Sequence, residues 1–405
     1  MEATRAGFEL RRTPSSAAAD WALSEGALQH RSKGFFSVNG VRDGDGEAVL
    51  LYQPQAAVTG LLTAELGGER LYLLQARAEP GCLGEVQFGP TVQSTPANFM
   101  RLHGGAPTPN IDAFIAYEAD ARPLQDTTQL DLGERYLFKS KRSLLVETAK
   151  PMPAAAPFVW TSAKALRQAA GRSAFLNLDL RSILSLAPWT EAELAPKRQS
   201  LRASLVTAPR PEVLGSLLAK IRRVQQPPSI VRLEHLKNWV ADEWGWSERE
   251  SQQGFRIGFF EVSAAHREVK RWVQPLVDSS SEGHVALACR DNRGVFEVLV
   301  CARRERGLAT DIALAPTYVR YPGAPGALPA WLNGDAHVLS ATVESDEGGR
   351  FYRDVSRYEL VLVEEAPDGY ADCVWLNVAE LKLMLTTSNL CTIQLRAIVS
   401  QLLAL

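Results

Sequence analysis

The chain has 405 residues, 46% of them hydrophobic and 22% charged, with a formal net charge of −2. That length suits two domains of ordinary size rather than one, and the even charge balance excludes a nucleic-acid surface built on a basic excess. An anionic ligand must therefore be held by a local group of arginines and lysines.

Residues 1–21 alternate charged and small side chains with no apolar run of signal-peptide length. No later stretch approaches the ~20 apolar residues needed to cross a bilayer, so a cytoplasmic protein is expected. The five cysteines, Cys82, Cys289, Cys301, Cys373 and Cys391, are odd in number and form no CxxC pair. Buried, reduced thiols are expected rather than disulfides or a zinc site. The histidines show no HxxxH spacing.

In chain order, a strand is predicted at 70–75 after the Gly67-Gly68 turn, followed by a polar, turn-rich segment over 75–105. A further strand falls at 143–146 and a helix at 161–170. The segment AFLNLDLRSIL places Asn177, Asp179 and Arg181 at alternate positions, which a strand would put on one face. A proline-rich stretch at 187–228 carries one helical pattern, Leu214, Leu217, Leu218 and Ile221. An amphipathic stretch at 231–244, with Leu233, Leu236, Trp239 and Val240 on one face, opens the C-terminal half of the chain. Strands at 295–301 and 359–363 and a helix at 377–385 then repeat the earlier order.

The repetition is also visible residue by residue. ARAEPGCLGEVQFGPT (76–91) aligns without a gap to ARRERGLATDIALAPT (302–317) at an offset of 226, with six of sixteen positions identical. Residues 159–185 align to 374–400 at an offset of 215, with eight of twenty-seven identical, including Trp160 with Trp375 and Arg181 with Arg396. Gly34-Phe35-Phe36 and Gln53-Pro54 have ordered counterparts in Gly258-Phe259-Phe260 and Gln274-Pro275. A period this long means a duplicated domain, not a solenoid. The expected organisation is a first repeat at 1–190, a helical linker at 191–228 and a second repeat at 229–405. Each repeat is of the α+β class, a mixed sheet with packed helices.

The chemistry is expected in 75–105, which holds Arg77, Glu79, Thr91, Gln93, Asn98, Arg101 and His103. A histidine is the natural acid/base at neutral pH, and Gly104-Gly105 beside His103 allow close backbone approach. A surface hairpin with its own hydrogen bonds is the plainer alternative. Lys139, Lys141 and Arg142 could grip a diphosphate or simply protect a strand edge. Asn177, Asp179 and Arg181 could equally form a structural ion-pair group. No GxGxxG, Walker loop or GxSxG elbow is present.

The run QARAEPG…VQFGPTVQSTPANF…RLHGG resembles the signature of the NDP-hexose 2,3-dehydratase family. LQHRSKGFFSVNGV (28–41), REVKRWVQPL (267–276) and FLNLDLRSIL (175–184) are similar to it as well. The resemblance implies tandem Nudix-like domains, a homodimer, no metal or other cofactor, and a thymidine-diphosphate 4-keto-6-deoxyhexose as substrate. On that basis His103, with Glu79 and Asp179 in reserve, is the expected acid/base. Arg77, Thr91, Gln93, Asn98, Arg101, Lys139, Arg142, Asn177 and Arg181 are the expected substrate ligands. The second repeat departs from the pattern: PTYVRYPGAP replaces PTVQSTPANF, and no counterpart of RLHGG comes after it. A binding protein without catalysis, or an isomerase acting on the same 4-keto sugars, are the alternatives.

Overall fold

A computed structural model describes the chain apart from residues 45, 103, 117–120, 191–193, 222–226, 251–252, 266, 311 and 335 and the side chain of residue 3. It is an α+β structure with four mixed sheets. The first small sheet runs antiparallel through Trp21–Ser24, Ala27–His30, Ser37–Asp43 and Gly46–Tyr52, and Tyr136–Leu137 closes it in parallel. Its counterpart runs through Trp239–Asp242, Gly245–Glu248, Phe255–Ala264 and Arg271–Ser279, closed by Phe351–Tyr352.

Each large sheet is built on one central strand. In the first, Ala57–Leu66 lies between Ser140–Thr148, parallel, and Glu69–Ala78, antiparallel. Arg122–Leu130 and Phe158–Ser162 flank these, and Val86–Gly89 and Val92–Ser94, within the turn-rich segment, extend the sheet. The second repeats this connectivity with Gly283–Asn292 at its centre, Val355–Leu362 and Val295–Arg304 beside it, and His337–Ser345 and Val374–Asn377 outside. The central strands are buried over most of their length, and the helices Leu178–Leu184 and Ile393–Val399 each pack on one of them. Helices Ala163–Ala170 and Val378–Leu385 begin at Ser162 and Asn377, whose side chains accept the orphan backbone N–H groups of their first turns. Among the described residues no helix is long and apolar enough to cross a membrane.

Three expectations need correction. Residues 177–181 do not form a strand: Asn177 caps the helix Leu178–Leu184 by accepting from Leu180 N–H at 2.9 Å. The whole helix is buried, so it lacks the polar stripe that would have marked its period. Residues 231–244 are a strand end, a single 3₁₀ turn at Leu233–His235 and the strand Trp239–Asp242. Leu233, Leu236 and Trp239 are nonetheless all buried. Finally, Cys301 and Cys373 are joined by a disulfide, while Cys82, Cys289 and Cys391 are free and buried. Val300 pairs with Val374 across adjacent strands, which brings the two thiols face to face with their Cα atoms 4.4 Å apart.

The leading strands are exchanged. Phe8–Thr13, at the start of the first repeat, pairs antiparallel with Phe255–Ala264 of the second. Reciprocally, Ser229–Val231 pairs with Ser37–Asp43 of the first. The seam is held by a second symmetric device. Gly81 N–H donates to Gly348 O, and Gly307 N–H donates to Gly133 O, each at 2.9 Å. A Cβ on Gly81 would lie 2.4 Å from the carbonyl oxygens of Glu347 and Phe351, and one on Gly307 would lie 1.9 Å from that of Tyr136. Only glycine fits either turn.

Two of the arginines expected to bind substrate differ sharply in setting. Arg181 is 1% exposed, paired with Glu344 at 2.6 Å and bonded to Ala170 O and Arg172 O. Arg142 pairs with Asp126 on the surface. Arg181→Met would leave the buried Glu344 carboxyl and two backbone carbonyls without their donor and should cost about 3–5 kcal/mol. Arg142→Met should cost under about 1 kcal/mol. Urea denaturation of both variants measures the difference, and equal midpoints would mean that Arg181 does not carry the fold.

Candidate functional site

The site is built from both repeats. The exchange of leading strands places the strand Trp21–Ser24 against the second small sheet, and Trp21 Nε1–H donates to Val273 O at 3.0 Å. From this side come Asp20, Trp21, His30, Ser32, Phe35 and Phe36. From the opposite side come Arg267, Glu268, Arg271, Trp272, Gln274 and Arg350. Glu79, Pro80, Asn98 and Leu102, from the turn-rich segment, complete the lining of a cleft of about 430 Å³. That volume falls in the range of small-molecule sites.

Its charged groups are held in place by neighbours. Glu79 is buried, and burial alone would push its carboxyl up. Arg77 and then Arg267 outweigh burial and bring it down to about 2. Arg77 Nη2 lies 2.9 Å and Arg267 Nη1 3.0 Å from the same Glu79 Oε1. Arg350 stacks over the Phe36 ring at 4.6 Å and donates to Gln274 Oε1 at 3.4 Å. Arg267 and Arg350 thus stand on one wall with their orientations fixed by groups of both repeats. Glu268, beside Arg267 at 3.5 Å, accepts from Thr108 Oγ1 and ties the cleft to the stretch that follows the turn-rich segment.

The sequence-derived candidates separate into three groups. Glu79 and Asn98 line the cleft, and Arg77 lies directly behind Glu79. His103 lies outside the described residues. Its neighbour Leu102 lines the cleft, while Arg101 is exposed and donates to Gly105 O. A second group forms a buried network between the sheets. Asn177 donates to Gln93 Oε1, Lys141 pairs with Asp179 at 2.6 Å, and Lys139 and Lys141 both face Asp131. The two lysines hold Asp131 at about 2 against the upward push of burial. The third group is structural. Thr91 Oγ1 bridges Leu62 N–H and Leu73 O, and Arg142 and Arg181 are spent in their ion pairs.

Sequence reasoning did not single out Trp21, His30, Arg267, Arg271, Trp272 or Arg350. Most of them lie within the two segments, 28–41 and 267–276, that carry a plain family likeness. Among the described residues no cluster of His, Cys, Asp and Glu is placed to hold a metal ion.

Comparison with known proteins decides what these segments belong to. The family model for NDP-hexose 2,3-dehydratase matches residues 1–187 and 218–402. The chain belongs to the NDP-hexose 2,3-dehydratase family. Among its relatives, the dTDP-4-dehydro-6-deoxy-alpha-D-glucopyranose 2,3-dehydratase of Streptomyces violaceoruber is 30% identical, over 97% of this chain and 93% of that protein. The protein of the same name from Amycolatopsis orientalis is 28% identical, over 97% and 86% respectively. A solved Nudix hydrolase from M. Smegmatis, RenU, overlays 31% of this chain and 80% of its own at 15% identity, with a TM-score of 0.20.

In this 2,3-dehydratase family member the equivalent position in the second repeat is filled, among the described residues. Tyr321 occupies the place of Thr95, and its hydroxyl donates to Glu305, the counterpart of Glu79, at 2.9 Å. Arg135 stacks over both Tyr321 and Phe255 and donates to Pro322 O. Gly323 lies so close to Gly254 that a Cβ on either would strike the other's backbone. Among the described residues Glu305 is paired with Arg303 alone, and burial, only partly opposed by that arginine, pushes its carboxyl up to about 7.

The folded value of Glu305 therefore exceeds the ordinary value of 4.5. Its contribution is fully present below that ordinary value and is lost as pH rises toward 7. Glu305→Gln removes the titration while keeping the acceptor for Gly133 N–H and Tyr321. The difference in melting temperature, variant minus wild type, should move in favour of the variant between pH 5 and pH 8. A constant or reversed difference would show that Glu305 is buried as a stabilised anion.

Proposed function

We propose that the cleft between the repeats binds a dTDP-linked 4-keto-6-deoxyhexose and eliminates water across carbons 2 and 3, as a hydro-lyase. One observation carries this reading: the two most family-like segments outside the turn-rich stretch meet there and present aromatic rings beside paired arginines. Trp272, Trp21 and Phe35 suit a nucleobase or sugar face. Arg267, Arg271 and Arg350 suit a diphosphate, which planar guanidinium groups grip bidentately.

The chemistry derives from the substrate. The ketone at carbon 4 acidifies the hydrogen on carbon 3 by delocalising the carbanion onto its oxygen. A base takes that proton, and the enolate then collapses. The carbonyl re-forms, a double bond forms between carbons 2 and 3, and the hydroxyl on carbon 2 departs, protonated, as water. The resulting enol tautomerises to a 3,4-diketo-2,6-dideoxy sugar. Electrons balance within the substrate, so no hydride carrier takes part. His103 is the proposed base. Glu79, held as a carboxylate near 2, instead orients Arg267, and Arg77 holds Glu79. We place Asp179 with Lys141 in the supporting network. The same reading carries the homodimer, the cytoplasm and deoxysugar biosynthesis that the resemblance implies.

Incubation with dTDP-4-keto-6-deoxyglucose should yield a product lighter by one water in mass spectrometry. Unchanged mass with altered stereochemistry would favour an isomerase, and binding without turnover a non-catalytic protein. Arg267→Ala should weaken dTDP binding by ~10- to 100-fold, the range for a charge-assisted hydrogen bond. Arg77→Ala should lower turnover far more than Arg303→Ala, since only Arg77 supports an open cleft. Equal losses with intact folds would mean that the closed side also takes part.

A further inference from the structure

We propose that His30 acts as a neutral hydrogen-bond donor through Nε2–H to the oxygen on carbon 4 of the sugar, where charge builds up as the enolate forms. This role rests on the cleft being the dehydratase site. It belongs to a residue outside the turn-rich segment and supplies the part of the elimination that a base alone does not.

The proton on His30 is assigned by its neighbours. Ser32 backbone N–H points at His30 Nδ1 at 3.2 Å, and Ser32 Oγ lies 2.8 Å from the same atom. Ser32 Oγ itself accepts from Gly34 N–H at 3.3 Å, so its own proton is free to go to Nδ1. With Nδ1 an acceptor, a neutral ring carries its hydrogen on Nε2. Among the described residues Nε2 has no hydrogen-bond partner, and His30 lines the cleft. The ring is set edge-on against Trp21 at 5.5 Å and Phe35 at 4.7 Å, so its plane is fixed before any ligand arrives. Burial lowers its pKa, against the weaker pull of Asp20, which favours the uncharged ring. A donor of this kind stabilises developing charge without losing its own proton, because it is already oriented and needs no solvent rearrangement.

The equivalent position on the filled side carries a different group. Trp21 pairs with His30 as Trp239 pairs with Glu248. Glu248 is spent on the backbone, accepting from Gln253 N–H and Gly254 N–H and from Asn238. Among the described residues, His30 in the open cleft offers a free donor at this position and Glu248 does not.

The test compares wild type, His30→Ala and His30→Gln by turnover, by dTDP titration and by deuterium uptake at carbon 3 from heavy water. In His30→Ala, turnover and deuterium uptake should fall together by ~100- to 1,000-fold, as for loss of one donor to a forming oxyanion. Affinity for dTDP should be nearly unchanged. His30→Gln, whose amide N–H has similar reach, should recover at least tenfold of that loss. Uptake at the wild-type rate with elimination lost would move His30 to the departing hydroxyl and overturn the proposal. Weakened affinity with unchanged turnover would make it only a packing residue and overturn it too. If the alanine variant does not fold, the glutamine variant decides alone: turnover reduced by 1,000-fold with dTDP still bound overturns the proposal. A wild-type protein that releases no water would instead sink the dehydratase reading itself.

Discussion

The structure depends on two glycines that have no room for a side chain. Gly81 and Gly307 each sit with the α-carbon against backbone carbonyl oxygens of the other repeat, and each donates its N–H to a glycine there. A buried backbone group must find a partner, and here the partner lies across the seam. The turns that carry these glycines also carry a carboxyl two residues earlier. The latch therefore drives Glu79 against Gly348 and Glu305 against Gly133. Two buried carboxyls at the seam are thus a direct result of how the repeats dock.

Their fates then diverge because of what stands next to each. Glu79 faces Arg77 on its own strand and Arg267 from the other repeat, and two cations overcome desolvation. Glu305 faces Arg303 at a longer 3.5 Å, has Glu134 nearby, and is bonded by a tyrosine. Replacement of Thr95 by Tyr321 is enough to account for part of this. An aromatic ring fills the space, Arg135 stacks on it, and the neighbouring backbone settles onto Gly254. An identical docking scheme thus yields an open, charge-paired cleft on one side and a packed interior on the other.

The duplication is legible in the sequence because its anchors are backbone requirements. The glycine turns and the Thr91 and Thr317 hydroxyls, each bridging two strands in the same way, cannot drift without breaking the sheet. The exchange of Phe8–Thr13 for Ser229–Val231 is not legible, since a short strand carries no mark of which equivalent edge it joins. The helix Leu178–Leu184 reads as a strand because a fully buried helix shows no polar face, and alternating polar residues then mimic a strand. Arg181 and Arg142 look alike in sequence, and only burial separates a core ion pair from a surface one. Much of the cleft is hidden for a related reason. His30 and Trp272 lie some 240 residues apart in the chain and acquire meaning only when the seam brings them together.

The pairing of charges bears on how a nearly neutral chain could hold the dianion proposed as its ligand. Arg267 shares Glu79 with Arg77 and has Glu268 beside it, and Arg271 is paired with Glu261. Such pairs give little long-range attraction, and the exposed ones are weakened by salt. What they provide is fixed geometry: a guanidinium held on one edge by a buried carboxylate presents its remaining N–H groups in a set direction. Because Arg77 and Glu79 come from one repeat and Arg267 from the other, that direction holds only while the glycine latch is closed. The affinity of the cleft for an anion is therefore tied to the docking of the repeats more than to net charge. A change that loosened the seam would weaken the ligand-binding groups, the aromatic walls and the set of His30 at the same time.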